Sequence, residues 1–158
     1  MPVRLFVLAA AVLAGCSAVG GAPTADRQAW DEAYARWDAQ RPDRYAFTLG
    51  LSCECVGPGR FYVSVNGAEV DSVAAFDPDT GGVYPAGSVV DGVPVERFYV
   101  SVTIDELFRL LDDGIRAGNA VRAEYDDALG YPTHAQPDVE AAAVDGSVGY
   151  SVRDVRAL

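Results

Sequence analysis

The chain contains no lysine: all 12 of its cationic residues are arginine, set against 23 Asp plus Glu, for a formal charge of −11 over 158 residues. A nucleic-acid binder is excluded on this balance, because phosphate binding needs a basic surface. Histidine is also scarce. His134 stands alone, so a histidine-rich metal site cannot be built. Only three cysteines occur, Cys16, Cys53 and Cys55. No Gly-x-Ser-x-Gly elbow is present. No apolar run approaches the ~20 residues a membrane-spanning helix needs. Gly (16) and Pro (9) are too few and too irregular for a fibrous chain. The broad apolar share of 50% suffices for a core, and the length suits one domain.

The start of the chain reads as an export signal. Arg4 precedes nine apolar residues, Leu5 to Leu13, and Ala14-Gly15-Cys16-Ser17 follows. A short charged start, an apolar core and small residues before a cut make a signal peptide. Leu13-Ala14-Gly15-Cys16 looks like the bacterial lipoprotein signal. In that signal the Cys sulfur is acylated and the chain is cut just before it. The expectation is therefore a signal peptide over 1–15, then lipid-bearing Cys16 and a flexible tether over 16–25. A single α+β domain would occupy 26–158. Its location would be extracytoplasmic, anchored to a membrane through acyl chains such as palmitate, each buried CH₂ contributing ~0.8 kcal/mol. The acidic surface gives anionic lipid nothing to hold, so the anchor would be the lipid.

Periodicity supplies the elements. Trp30, Ala33, Tyr34 and Trp37 fall on one helical stripe over 26–40, ended by Pro42. Tyr45, Phe47, Leu49 and Leu51 alternate in a strand over 44–55, with both later cysteines in phase. Phe61, Val63 and Val65 mark a second strand. Asn66-Gly67 predicts a tight hairpin setting Val65 opposite Ala68 and Val63 opposite Val70, with a third strand over 68–76. Residues 83–95 read as an irregular connection. The hexapeptide Arg60 to Val65 recurs letter for letter as Arg97 to Val102, and both copies read as strand-like. Thr103-Ile104-Asp105-Glu106 is a capping box opening a helix that Gly118 closes. Strands around 121–125, 133–136 and 150–155 follow, Pro137 confining the middle one to a sheet edge or strand end. The expected architecture is an antiparallel sheet with two helices packed on one face, in the order helix, three strands, helix, three strands.

Several of these features coincide with a known pattern. Tyr45-x-Phe47 leads to Cys53-x-Cys55, the Thr-capped helix carries Leu107-Phe108, and Tyr125-Asp126, Gly130-Tyr131-Pro132-Thr133 and Asp138 come after it. With a lipoprotein signal in front, this resembles a family of bacterial lipoproteins known as a domain of unknown function numbered 6174. The resemblance implies export and a compact α+β domain, and supplies no reaction.

Candidate chemistry is sparse. Residues i and i+2 of a flat strand lie roughly 6.6 Å apart, the outer edge of disulfide reach. In an oxidising compartment a Cys53–Cys55 disulfide is the first reading, the following Gly-Pro-Gly permitting the bend. Free buried thiols, a redox dithiol and a thiolate metal site with His134 are the alternatives. Asp77-Pro78-Asp79 starts like a calcium loop, but position twelve is Ser88, not an acid. Tyr125, Asp126, Gly130, Tyr131, Pro132 and Thr133 form a candidate binding surface, the lip of a partner groove. Neither catalytic residues, nor a metal site, nor a cofactor is expected. The functional expectation is a non-catalytic envelope lipoprotein that binds an envelope protein or other component. The alternatives are a thiol–disulfide protein and a carrier holding a small apolar ligand against Trp30, Trp37 and Tyr45.

Overall fold

The computed structural model describes residues 24–53, 57–98, 102–139 and 148–158. Two helices and one antiparallel six-stranded sheet form an α+β fold. Helix α1 spans Ala25–Gln40 and α2 spans Ile104–Ala117. Before α2 come β1 (Arg44–Ser52), β2 (Arg60–Asn66), β3 (Glu69–Ala75) and two short strands, β4 (Val89–Val90) and β5 (Val93–Pro94). After it come β6 (Arg122–Tyr125), β7 (Pro132–Gln136) and β8 (Gly149–Ala157). The spatial order of the large sheet is β3-β2-β1-β8-β7-β6, so the last strand lies in the middle, between β1 and β7.

The element order departs from the expected helix, three strands, helix, three strands. Between β3 and α2 the chain adds β4 and β5, paired as a separate two-stranded ribbon, and a 3-10 turn, Val95–Phe98. Asp91 and Gly92 turn that ribbon at positive φ. The segment is short and Gly/Pro-broken, so no periodicity announced it. The second copy of the repeated hexapeptide begins differently from the first: Arg60-Phe61 opens strand β2, whereas Arg97-Phe98 closes the 3-10 turn. Partner strands, not the six letters, make the strand.

The first hairpin forms where expected but in another register. The pairs are Asn66–Glu69, Val65–Val70 and Val63–Val73, with a register shift after Ser64. Gly67 at φ 62 is the first loop residue, as a type II′ turn requires, whereas Asn66 does not take positive φ. The shift lets Val63, Val65, Val70 and Val73 all reach the core or its border.

Both helices feed one core. Trp37 and Ala33 of α1 and Ile104, Leu107 and Phe108 of α2 are buried with Tyr45, Phe47, Leu49, Phe61, Val63, Val65 and Val152 of the sheet. Each such large side chain contributes roughly 1.5–3 kcal/mol by leaving water. The caps match the sequence. Thr103 accepts from the Glu106 amide while Glu106 accepts from the Thr103 amide, and Gly118 closes α2 at φ 77.

Polar contacts join the two helices. Trp30 donates its indole N–H to the Phe108 carbonyl at 2.9 Å. Arg27 reaches Asp112 at 2.6 Å, and Arg116 reaches the same carboxylate at 2.9 Å. Burial would push the Asp112 carboxyl up, but the bonds from Arg27 and Arg116 outweigh it and hold the pKa below its ordinary value. A depressed folded-state pKa stabilises at pH above the unfolded value, near ~4, and that contribution disappears as pH falls through the folded value. Asp112→Asn is expected to cost about 1 kcal/mol in urea denaturation at neutral pH. The gap from wild type should shrink as the pH drops below ~4.

Candidate functional site

The residues expected to form a partner lip are brought together by the structure, in a turn built to seat helix α1. The Asp126 amide donates to the Tyr131 carbonyl and the Gly130 amide to the Asp126 carbonyl, both at 2.9 Å. The Asp126 carboxylate accepts from the amides of Ala128 (3.0 Å) and Leu129 (2.7 Å). Gly130 takes φ 86, and a Cβ there would run into the Ala33 carbonyl and the Arg36 Cβ. Only glycine permits both the conformation and that approach. Pro132 is buried, and the Tyr131 ring meets Trp37 edge-on at 6.3 Å. Tyr125 stacks on Phe108 at 6.0 Å, and burial pushes its phenol up to about 12. Thr133 and Tyr131 border a hollow on the far side of the sheet.

Other residues singled out in the sequence fall as follows. Trp37 and Tyr45 are fully buried, their rings crossing edge-on at 5.4 Å. The Tyr45 hydroxyl is enclosed beside the backbone of Ile104. Its pKa is raised by burial first and by Asp105 second. Trp30 stacks on Tyr34 at 4.9 Å and meets Phe108 edge-on. Beside this aromatic cluster, a crevice of about 30 Å³ lies between Asp26, Ile115, Val121 and Tyr125, room for about one water. Asp77 is occupied in its own turn: its carboxyl is held below the ordinary range by the Asp79 amide first and the Thr80 hydroxyl second. Cys53 is disulfide-bonded. Its partner lies outside the described residues, as do Cys55 and Cys16. Among the described residues no group of three or more His, Cys, Asp or Glu could hold a metal ion.

The sequence left the opposite face of the sheet unread. Out of phase with the core run Arg60 and Tyr62 on β2, Thr48 and Gly50 on β1, Ser151 and Arg153 on β8, His134 on β7 and Arg122 and Glu124 on β6. Register aligns them in rungs: Arg60–Gly50–Ser151–His134–Glu124 is one, and Tyr62–Thr48–Arg153 is part of the next. Hollows open on this face, two of them sharing a wall. One of about 670 Å³ is bordered by Arg122, Glu124 and His134, the other of about 340 Å³ by Arg60, Thr48 and Gly50. They share Ser151, Arg153 and Asp154.

A bulge shapes the shared wall. Between the pairs Thr48–Arg153 and Ala46–Arg156 the register slips, and Asp154 takes φ 56. Bulges re-aim side chains in this way. Asp154 thereby accepts a hydrogen bond from the Thr48 hydroxyl at 3.3 Å. The Ser151 hydroxyl lies over Gly50, in the space a Cβ would fill. It points toward β1, and no hydrogen bond joins it to His134. A Ser–His pair sits on neighbouring strands without the geometry that activates a nucleophile.

Gly130→Ala is expected to destabilise the fold by about 2–4 kcal/mol, since it meets both a backbone clash and a positive φ. Thermal denaturation measures this. A loss under 0.5 kcal/mol, roughly that of an ordinary surface substitution, would mean the turn does not seat α1.

No protein of curated function and no solved structure matches the chain. The family of unknown function DUF6174 matches residues 29–157, from within α1 to the last residue of β8. It therefore takes in both helices, the turn at Gly130 and every strand of the open face, and the chain belongs to that family.

Proposed function

We propose that this protein is a bacterial lipoprotein of the cell envelope, held outside the cytosol by acyl chains on Cys16, whose α+β domain is a non-catalytic binding module. The observation that carries the reading is Leu13-Ala14-Gly15-Cys16 at the end of the apolar run of residues 5–13. Residues 17–25 after it are small and uncharged, the composition of a tether. No helix among the described residues is long and apolar enough to cross a membrane. Intact mass of the membrane-extracted protein is the test. The expected species starts at Cys16 and carries acyl mass, and Cys16→Ser moves the protein out of the membrane fraction. A chain that keeps residues 1–15 without acyl mass rejects the reading.

The Cys53 disulfide is assigned to Cys55 and to a structural role. The one-residue spacing and the turn at Gly57 support the pairing, Gly57 taking φ 108 against the Phe98 ring. A structural bond of an exported protein has a reduction potential below about −300 mV. Equilibration against a redox buffer, read by mass, is expected to place it there. A potential near −200 mV would favour thiol–disulfide exchange instead.

A further inference from the structure

With 23 acids to 12 arginines, a carboxylate partner is easy for an arginine of this chain to find. Arg27, Arg41, Arg109 and Arg116 each have one, all on or beside the helices. Among the described residues Arg36 on α1, Arg44 on β1 and Arg97 in the 3-10 turn form no salt bridge, and neither do the arginines of the open face of the sheet. Arg60, Arg122, Arg153 and Arg156 all stand there, and among the described residues none of them forms a salt bridge. Arg156 is occupied with Tyr62, donating to its hydroxyl at 3.0 Å and lying over its ring. Arg60 lies over the Phe76 ring, 5.9 Å away.

Arg60 and Arg153 border the same hollow of about 340 Å³, together with Thr48, Gly50, Gly59 and Ser151. Gly50 gives it a floor of bare backbone, over which the Ser151 hydroxyl lies. Among the described residues the one acid on its wall is Asp154, which sits at the bulge and accepts from Thr48. Two guanidinium forks without a salt-bridge partner, the Ser151 hydroxyl and a glycine floor are the parts of an oxyanion site. The volume lies at the small end of ligand pockets, which run from about 300 to 1,000 Å³. The acid adds a requirement, because it repels a bare anion but accepts from a hydroxyl beside the charged group.

We propose that this hollow binds a hydroxylated oxyanion, the phosphoryl or carboxylate end of a small polyol-type ligand, between Arg60 and Arg153. The anionic oxygens take the two guanidinium groups and the Ser151 hydroxyl, and a neighbouring ligand hydroxyl donates to Asp154. This gives the binding reading its site and ligand class. It rests on that reading but not on Cys16, so acylation and anion binding succeed or fail separately.

The test is a nuclear magnetic resonance titration of the full chain in detergent, with glycerol 3-phosphate, glycerate and neutral glycerol as probes. The Gly50 and Ser151 amides and the Arg60 and Arg153 Nε–H groups are expected to shift saturably with one or both anions and not with glycerol. Arg60→Gln and Arg153→Gln should each weaken binding at least tenfold. Arg109→Gln, on the outer face of α2, should leave it unchanged. Tighter binding of glycerol 3-phosphate assigns the phosphoryl group, and tighter binding of glycerate assigns the carboxylate. Arg153→Lys, which keeps the charge but loses the fork, should bind more weakly than wild type and serves if the Gln variant does not fold. Shifts that do not saturate, that gather on the helical arginines, or that survive both Gln variants would overturn the proposal.

Discussion

The buried side chain of Trp37 touches both helices, the first strand and a turn of the C-terminal half. Its ring sits edge-on to Tyr45 of β1 and to Tyr131 of the 126–131 turn. Its indole N–H donates to Asp105 in the first turn of α2 at 3.3 Å, the same carboxylate that Arg41 grips at 2.7 Å. The first helix, the first strand, the second helix and the C-terminal half of the sheet thus meet at one fully buried residue. Gly130 completes the arrangement by bringing its turn against the backbone at Ala33 and Trp37. Because both helices are drawn into this one core, the reverse side of the sheet is left to polar residues. Even there Ala46 is buried, with Arg156 as its cross-strand neighbour and Tyr62 bonded to that arginine.

Local signals were legible and long-range ones were not. The α1 stripe, the α2 capping box, the Gly118 stop and the alternation of β1 are each contained within a single stretch of chain, so the sequence displays them. The position of β8 is not local. It enters between β1 and β7, far along the chain from β1, and neither partner's letters announce it. The hairpin after Asn66 shows the limit at short range, since a turn dipeptide located the loop while the bulge after Ser64 set the register. The repeated Arg-Phe pair shows it again, extended in β2 and in a 3-10 turn before α2.

The same distinction explains which functional residues were found. The Gly130-Tyr131-Pro132-Thr133 turn is conspicuous because glycine and proline close together mark a turn, and Gly130 packs against α1. The open-face residues are ordinary letters at ordinary spacing. Arg60, Thr48 and Ser151 acquire a common neighbourhood only when β2, β1 and β8 pair. A hint was present in the out-of-phase positions of the strands, where Arg60 and Arg122 stand beside apolar neighbours in a chain otherwise dominated by acids. An acidic body with unpaired arginines on one face is an electrostatic contrast, and screening by salt would weaken any anion bound there.

Arginine reactivity tests the central claim, a sheet covered on one side and open to an anion on the other. A glyoxal reagent mapped by mass spectrometry, with and without phosphate, reads each guanidinium separately. The account predicts that Arg60 and Arg153 react early and are shielded by phosphate. Arg27, clamped on Asp112, should react slowly, and exposed Arg109 should react without shielding. Equal shielding of all arginines, or shielding confined to the helices, would contradict it.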